Sequence, residues 1–148
     1  MSELIGIGNT LKKIYRAYSL DVLKELNSLG YESLTYSYLE VISFICENEG
    51  VSLKVIGKSL GLKKQTMTNH ISELEKRGII FRKQCQNDRR SQLIFLTETG
   101  ESLKINLYKT IAKIEQDYAH IIGGIELERL KGSLDIFHER LARRDLLF

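Results

Sequence analysis

Residues 63–76, KKQTMTNHISELEK, carry two kinds of side chain at helical spacing. If Met67, Ile71 and Leu74 face a core, the outermost side chains are Gln65, Asn69, Ser72 and Lys76, flanked by Thr66, Thr68 and Glu73. Gln and Asn each hold a donor beside an acceptor, which matches the N6 and N7 edge of adenine in a bidentate pair. Lys63, Lys64, Thr66 and Thr68 gather near the amino end, where backbone N–H groups and the helix dipole favour phosphate. Further on, QCQNDRRSQLIFL (84–96) sets Arg89 and Arg90 at a polar tip before a strand-like run. A solvated turn would need no purpose, whereas a charged finger suits something anionic. With the helix in a DNA major groove, the tip falls beside the backbone or over the adjacent minor groove, whose negative potential attracts arginine. Asp88 fits there as a carboxylate that steadies an arginine guanidinium.

The charge distribution favours the same reading. The 148 residues carry a net charge of only +3. Residues 51–94, however, hold ten Lys or Arg against Glu73, Glu75 and Asp88, a local +7, and the remainder holds twelve basic and sixteen acidic side chains, a local −4. Charge concentrated in the middle third marks a phosphate-facing surface. A hydrophobic fraction of 43% with 28% charged residues excludes a disordered chain. No apolar run approaches the roughly 18 to 20 residues of a membrane span. The start, MSELIGIGNTLKKIY, lacks the order of a secretory signal. Cys46 and Cys85 cannot build a disulfide framework, so a cytoplasmic setting is expected.

Long elements must position these groups. Leu11, Ile14, Tyr15, Tyr18, Val22, Leu26 and Leu29 trace one face of a helix over 9–29, which Gly30 ends. Residues 37–48 repeat the pattern with Leu39, Ile42 and Cys46, flanked by Val41 and Ile45, and predict a central helix. VSLKVIGKSLG, with Val55, Ile56 and Leu60 on one side, predicts a short helix stopped by Gly61. The helix bearing Gln65 and Asn69 ends at Gly78, and two short β-rich runs around the polar tip predict a two-stranded hairpin. Leu103, Leu107, Ile111, Ile114, Tyr118 and Ile121 then line a long helix that breaks at Gly123-Gly124. Leu127, Leu130, Leu134, Phe137 and Leu141 line a terminal one. The expected class is mainly α: a winged helix-turn-helix (51–97) between N-terminal helices (1–50) and long C-terminal helices (98–148), in one domain.

Three pieces of this chain resemble the MarR family of bacterial transcriptional regulators. They are LGLKKQTMTNHISELEKRGII, NDRRSQLIFLTETG and the long flanking helices. The family's Asp-x-Arg wing motif falls on Asp88 and Arg90, and its Leu-Thr-x-x-Gly on Leu96, Thr97 and Gly100. The likeness covers nearly the whole chain by architecture and about fifty residues by motif. It implies a homodimer formed by the first and last helices, a pseudo-palindromic double-stranded DNA operator, and repression of a nearby gene. It also implies a small aromatic ligand held at the junction of dimerisation helices and reading head, where some of Tyr15, Tyr18, Tyr31, Tyr36 and Tyr38 are candidates. Recognition-helix roles carry over to Lys64, Gln65, Thr66, Thr68 and Asn69, and wing roles to Asp88 and Arg90. Two positions depart from the pattern. Lys63 stands where the family often has a Ser or Asp helix cap. Asn69 stands where an arginine is common, so a phosphate contact is missing or replaced by a base contact. The thiol-sensing branch has a cysteine near the start of the first helix, and this chain has none there.

Other chemistry finds little purchase. Cys46 lies on an apolar face and reads as a buried thiol. Cys85, near Lys83 and Arg89, has the positive surroundings that lower a thiol pKa. His70, His120 and His138 lack metal-ligand spacing, so neither metal nor cofactor is expected, and His70 reads as a packing residue at the margin of the buried face. Lys54 and Lys58 read as helix-surface charges with occasional phosphate contact. No phosphate loop, nucleophile elbow or histidine–carboxylate pair indicates an enzyme. The rival reading is a winged-helix module that binds protein, against which the local +7 and the polar outward face count.

Overall fold

The apolar steps of three and four become helices, and the shorter runs after Gly78 become a sheet. The computed structural model describes residues 6–88 and 90–147, without the side chains of residues 145–147. In chain order the elements are α1 (Gly6–Ser28), α2 (Tyr36–Glu47), β1 (Val51–Ser52), α3 (Leu53–Leu60), α4 (Lys64–Lys76), β2 (Ile80–Gln84), β3 (Gln92–Leu96), α5 (Glu98–Ile122) and α6 (Gly124–Leu147). The fold is mainly helical, with α3, α4 and the β2–β3 hairpin forming a winged helix-turn-helix. Arg89, expected at the wing tip, lies outside the described residues.

The wing has one strand more than the two expected. Val51 and Ser52 pair antiparallel with Ile94 and Leu93, giving a three-stranded sheet in the order β1-β3-β2. Two residues are too few to show an alternation, so this strand exists only through its partner. Ser52 then serves a second purpose, because its Oγ accepts from the Val55 N–H at 3.2 Å and caps α3. Gly61 ends α3 at φ +65, in the left-handed region that lets the chain turn sharply into α4.

The chain divides into two compact units, Met1–Thr110 and Ile111–Phe148. In the first, Val22 and Leu26 of α1 and Leu39, Val41, Ile42, Ile45 and Cys46 of α2 are buried, as are Ile56, Met67, Ile71 and Leu74 of the two short helices. Ile80, Ile94, Leu96, Leu103 and Leu107 extend the same core into the sheet and the start of α5. Burial foremost, with the carboxylates of Glu101, Glu47 and Glu49 adding and Lys104 opposing, pushes the Cys46 thiol up to about 11, which leaves it protonated and unreactive at neutral pH. The first half of the α1 stripe differs, since Leu11, Ile14 and Tyr15 are exposed, as is Ile7 before it. In the second unit Lys131 of α6 pairs with Glu115 of α5 at 3.0 Å. Ile114 is buried there, whereas Leu130, Phe137 and Leu141 of the predicted α6 stripe are exposed, and Ile121 is 75% exposed. Among the described residues no helix is long and apolar enough to cross a membrane.

The turn from β3 into α5 is closely built. Thr97 donates its hydroxyl to the carbonyls of Gly78 and Ile79, and its N–H reaches the Ile79 carbonyl at 3.0 Å. The same hydroxyl accepts from the Gly100 N–H at 3.0 Å, and Gly100 is buried. Leu-Thr-x-x-Gly is therefore a packing lock between the wing's exit and the end of α4.

Candidate nucleic-acid interface

Helix α4 buries Met67, Ile71 and Leu74, so the opposite side is set by the 3.6-residue period. Gln65, Asn69, Ser72 and Lys76 are exposed, and Thr66, Thr68 and Glu73 are half-buried beside them. Gln65 Nε2 donates to Asn69 Oδ1 at 3.0 Å, one turn along the exposed face. Thr68 Oγ1 donates back to the Lys64 carbonyl at 2.8 Å, so toward an outside group its hydroxyl offers lone pairs. Lys63 occupies the N-cap with extended backbone (φ −66, ψ 148) and no side-chain cap. The amino end of α4 thus keeps unpartnered backbone donors beside two exposed lysines.

Lys63 gives a direct trade between stability and binding. Lys63→Ser is expected to raise stability by about 0.5 to 1 kcal/mol by capping α4. The same change should weaken DNA binding and make its salt dependence shallower by about one unit per protomer. Urea unfolding and a salt-series titration of one preparation read both effects.

The wing is braced against α4 by a residue that sequence reasoning left unassigned. Arg82 of β2 donates Nη1 to Gln92 Oε1 of β3 at 3.1 Å and Nη2 to Ser72 Oγ of α4 at 3.2 Å, and its Nε lies 3.4 Å from Glu75 Oε2. The signal was the period of two, because Arg82 shares a strand face with buried Ile80 and so must point toward α4. At the tip, Asp88 Oδ1 accepts from the Arg90 backbone N–H at 3.0 Å, and the Asp88 carbonyl accepts from Ser91 N–H at 3.0 Å. Toward Arg90, Asp88 shapes the turn through the backbone and leaves the guanidinium exposed.

Between α3, the start of α4 and the wing runs a groove of about 590 Å³. Of the residues predicted from sequence, it brings together Lys64, Thr68, Asp88 and Arg90. Lys63 at the N-cap and Gln65, Thr66 and Asn69 on α4 lie outside the groove lining. Lys54 and Lys58, read as ordinary surface charges, line it from α3. Four cations facing one carboxylate across a groove make an anion-attracting surface, contiguous with the exposed amide pair on α4. Cys85 is free and half-buried on the far side of the same hairpin turn.

The tyrosines have structural ties of their own. Tyr15 donates to Glu40 Oε1 at 3.2 Å, and burial foremost, with the Glu40 carboxylate adding, holds its hydroxyl above the ordinary pKa. Tyr36 donates to the Arg16 carbonyl at 3.2 Å, and Tyr31 accepts from Asn106 Nδ2 at 2.8 Å. Tyr38 stacks on half-buried His70 with ring centroids 4.4 Å apart.

Comparison with known proteins agrees with this geometry. The MarR family model matches residues 33–91, from the loop before α2 to the wing. The organic hydroperoxide resistance transcriptional regulator of Bacillus subtilis (strain 168) is 30% identical over 116 residues, covering 76% of each chain. The chain belongs to the MarR family. It is accordingly a transcriptional regulator and not an enzyme. The crystal structure of MarR superposes with a TM-score of 0.83 at 20% identity, over 96% of this chain and 95% of that one. The repressor CouR, bound to a 23-mer DNA duplex, matches with a TM-score of 0.74 at 23% identity, over 89% and 92% of the two chains. Identities at that level speak for the winged fold that this MarR-family chain adopts.

Proposed function

We propose that this protein is a homodimeric, cytoplasmic repressor that binds a pseudo-palindromic operator and is released by a small molecule or stress signal. One observation carries the DNA reading: an exposed Gln65–Asn69 face on α4 adjoins a groove lined by Lys54, Lys58, Lys64 and Arg90. Lysines and arginine neutralise phosphates and fix register, and the two amides read adenines in each half-site. Lys63, Thr66, Thr68, Asp88 and Arg89 complete the proposed contact set. Exposed apolar side chains on α1 (Ile7, Leu11, Ile14) and on α6 (Leu130, Phe137, Leu141) support a second copy as the partner that covers them. The CouR complex with DNA is a precedent for the fold in this role.

The regulatory step is a population shift, in which a ligand favours a spacing of the two reading heads that misses successive major grooves about 34 Å apart. The hydroperoxide link in the Bacillus subtilis relative's name does not transfer through Cys46, which is buried with its pKa pushed up to about 11.

Fluorescence anisotropy with DNA from upstream of the protein's own gene, beside scrambled DNA and across a salt series, tests the reading. Preferential binding is expected, with a log–log salt slope of about −5 to −9 from roughly six to ten phosphate contacts per dimer. Weak, equal, salt-insensitive binding to both DNAs would leave a winged-helix module for protein partners and end the repressor reading.

A further inference from the structure

Arg77, at the carboxyl end of the recognition helix, is placed to do more than close that helix. Its Nε donates to Glu73 Oε1 at 3.1 Å, one turn back on α4. Its Nη1 donates to the Glu32 carbonyl at 2.9 Å, and its Nη2 to the Ser33 carbonyl at 3.3 Å. The guanidinium carbon lies 5.7 Å from the centroid of Tyr38, the ring that also stacks on His70 of α4. One side chain therefore ties the end of α4 to two successive carbonyls of the loop between α1 and α2, and to the first turn of α2.

The loop is in a conformation that needs such a tie. Ser33 has φ +61, left-handed backbone that side chains other than glycine rarely adopt and that persists where surroundings over-determine it. A cavity of about 360 Å³, lined by Gly30, Tyr31, Glu32, Ser33, Arg77 and Thr99 among others, adjoins the loop and leaves it room to shift. On its other side the loop is held by α5, where Asn106 Nδ2 donates to the Tyr31 hydroxyl at 2.8 Å. A continuous polar path runs from α5 through Tyr31, the loop and Arg77 to Glu73 on α4. A planar guanidinium spreads its donors over three nitrogen atoms and so reaches three separate acceptors, whereas a lysine ammonium holds its three donors on one nitrogen and satisfies the ion pair but not both carbonyls.

We infer that Arg77 is the positioning residue that couples the α1–α2 loop to the orientation of the recognition helix, so that displacement of the loop is transmitted to the DNA-reading face. This rests on the DNA-binding reading above. By linkage the coupling runs both ways, so operator binding on α4 must also steady the loop.

Hydrogen exchange of the full-length protein, with and without saturating operator, tests the coupling. In the parent, operator should slow exchange in α4 and in residues 30–35. Arg77→Lys keeps the charge and the reach to Glu73, so α4 should still be protected at saturating DNA, while protection of residues 30–35 is lost. Operator affinity should fall about fivefold or more. Arg77→Gln, shorter and neutral, provides the second variant and should show the same separation of the two segments. A residue that merely holds the fold together would lower the melting temperature yet leave the loop's response to DNA intact in the folded protein. Loop protection equal in parent and variants overturns the inference, as does a parent whose α4 responds to operator while its loop does not. A parent in which neither segment responds overturns the DNA reading itself, and the coupling with it.

Discussion

Gly100→Ala is expected to destabilise this protein by about 3 kcal/mol or more, the range of severe overpacking, lowering the melting temperature by roughly 10 °C. The sign is opposite to what helix propensity dictates. Gly100 is the third residue of α5, and glycine inside a helix is ordinarily worse than alanine by about 1 kcal/mol. Here an added Cβ would fall well inside contact distance of the Ile79 carbonyl oxygen, and would stand 3.0 and 3.1 Å from Leu96 side-chain atoms. A side-chain tip would move aside, but a backbone carbonyl cannot. That carbonyl is also held by Thr97, whose N–H and hydroxyl both donate to it, so relief in one place breaks hydrogen bonds in another. Because the lock joins the end of α4 to the exit of the wing, partial relief should re-angle the wing as well. Thermal and urea denaturation check the first effect. Unfolding parameters within error of the parent would refute the packing account of the Leu-Thr-x-x-Gly motif.

Arg90→Ala is expected to weaken operator binding by about 1 to 3 kcal/mol, roughly ten- to a hundredfold, with dimer stability unchanged. The side chain is exposed, and the described polar contact of this residue is its backbone N–H with Asp88, which alanine retains. The variant should therefore fold as the parent does. Loss of a cation from the groove should also make the salt dependence shallower. Affinities compared at matched salt decide the matter, and equal values for parent and variant would remove Arg90 from the interface. A uniform loss across DNA sequences would assign it to the backbone. A loss confined to one operator position would assign it to base or minor-groove reading.

The two predictions draw on different kinds of information. The helices, the outward side of α4 and the basic wing tip were legible because each is a local pattern. Buried Met67, Ile71 and Leu74 at steps of four and three leave Gln65, Asn69, Ser72 and Lys76 on the other side by geometry alone. The concentration of charge in residues 51–94 needed no coordinates either. The MarR family resemblance followed from the same residues, and the comparisons show it.

What stayed hidden depends on contacts between residues far apart in the chain. β1 is two residues long and is defined by pairing with β3 more than forty positions away. Lys54 and Lys58 look like any helix-surface lysines until α3 is set across a groove from the wing. Arg82 and Arg77 are two among many basic residues in the sequence. The structure makes one the brace between wing and recognition helix and the other the tie to the α1–α2 loop. Gly100 carries no sign, in a helical stretch, that a carbonyl from another element fills the space where its side chain would be. The sequence by itself determined the helices and the hairpin, the buried side of α4 and the family, because hydrophobic period and turn chemistry act over a few residues. Which cations share a surface, which residues brace it and where a methyl group is forbidden were decided only when distant segments packed together.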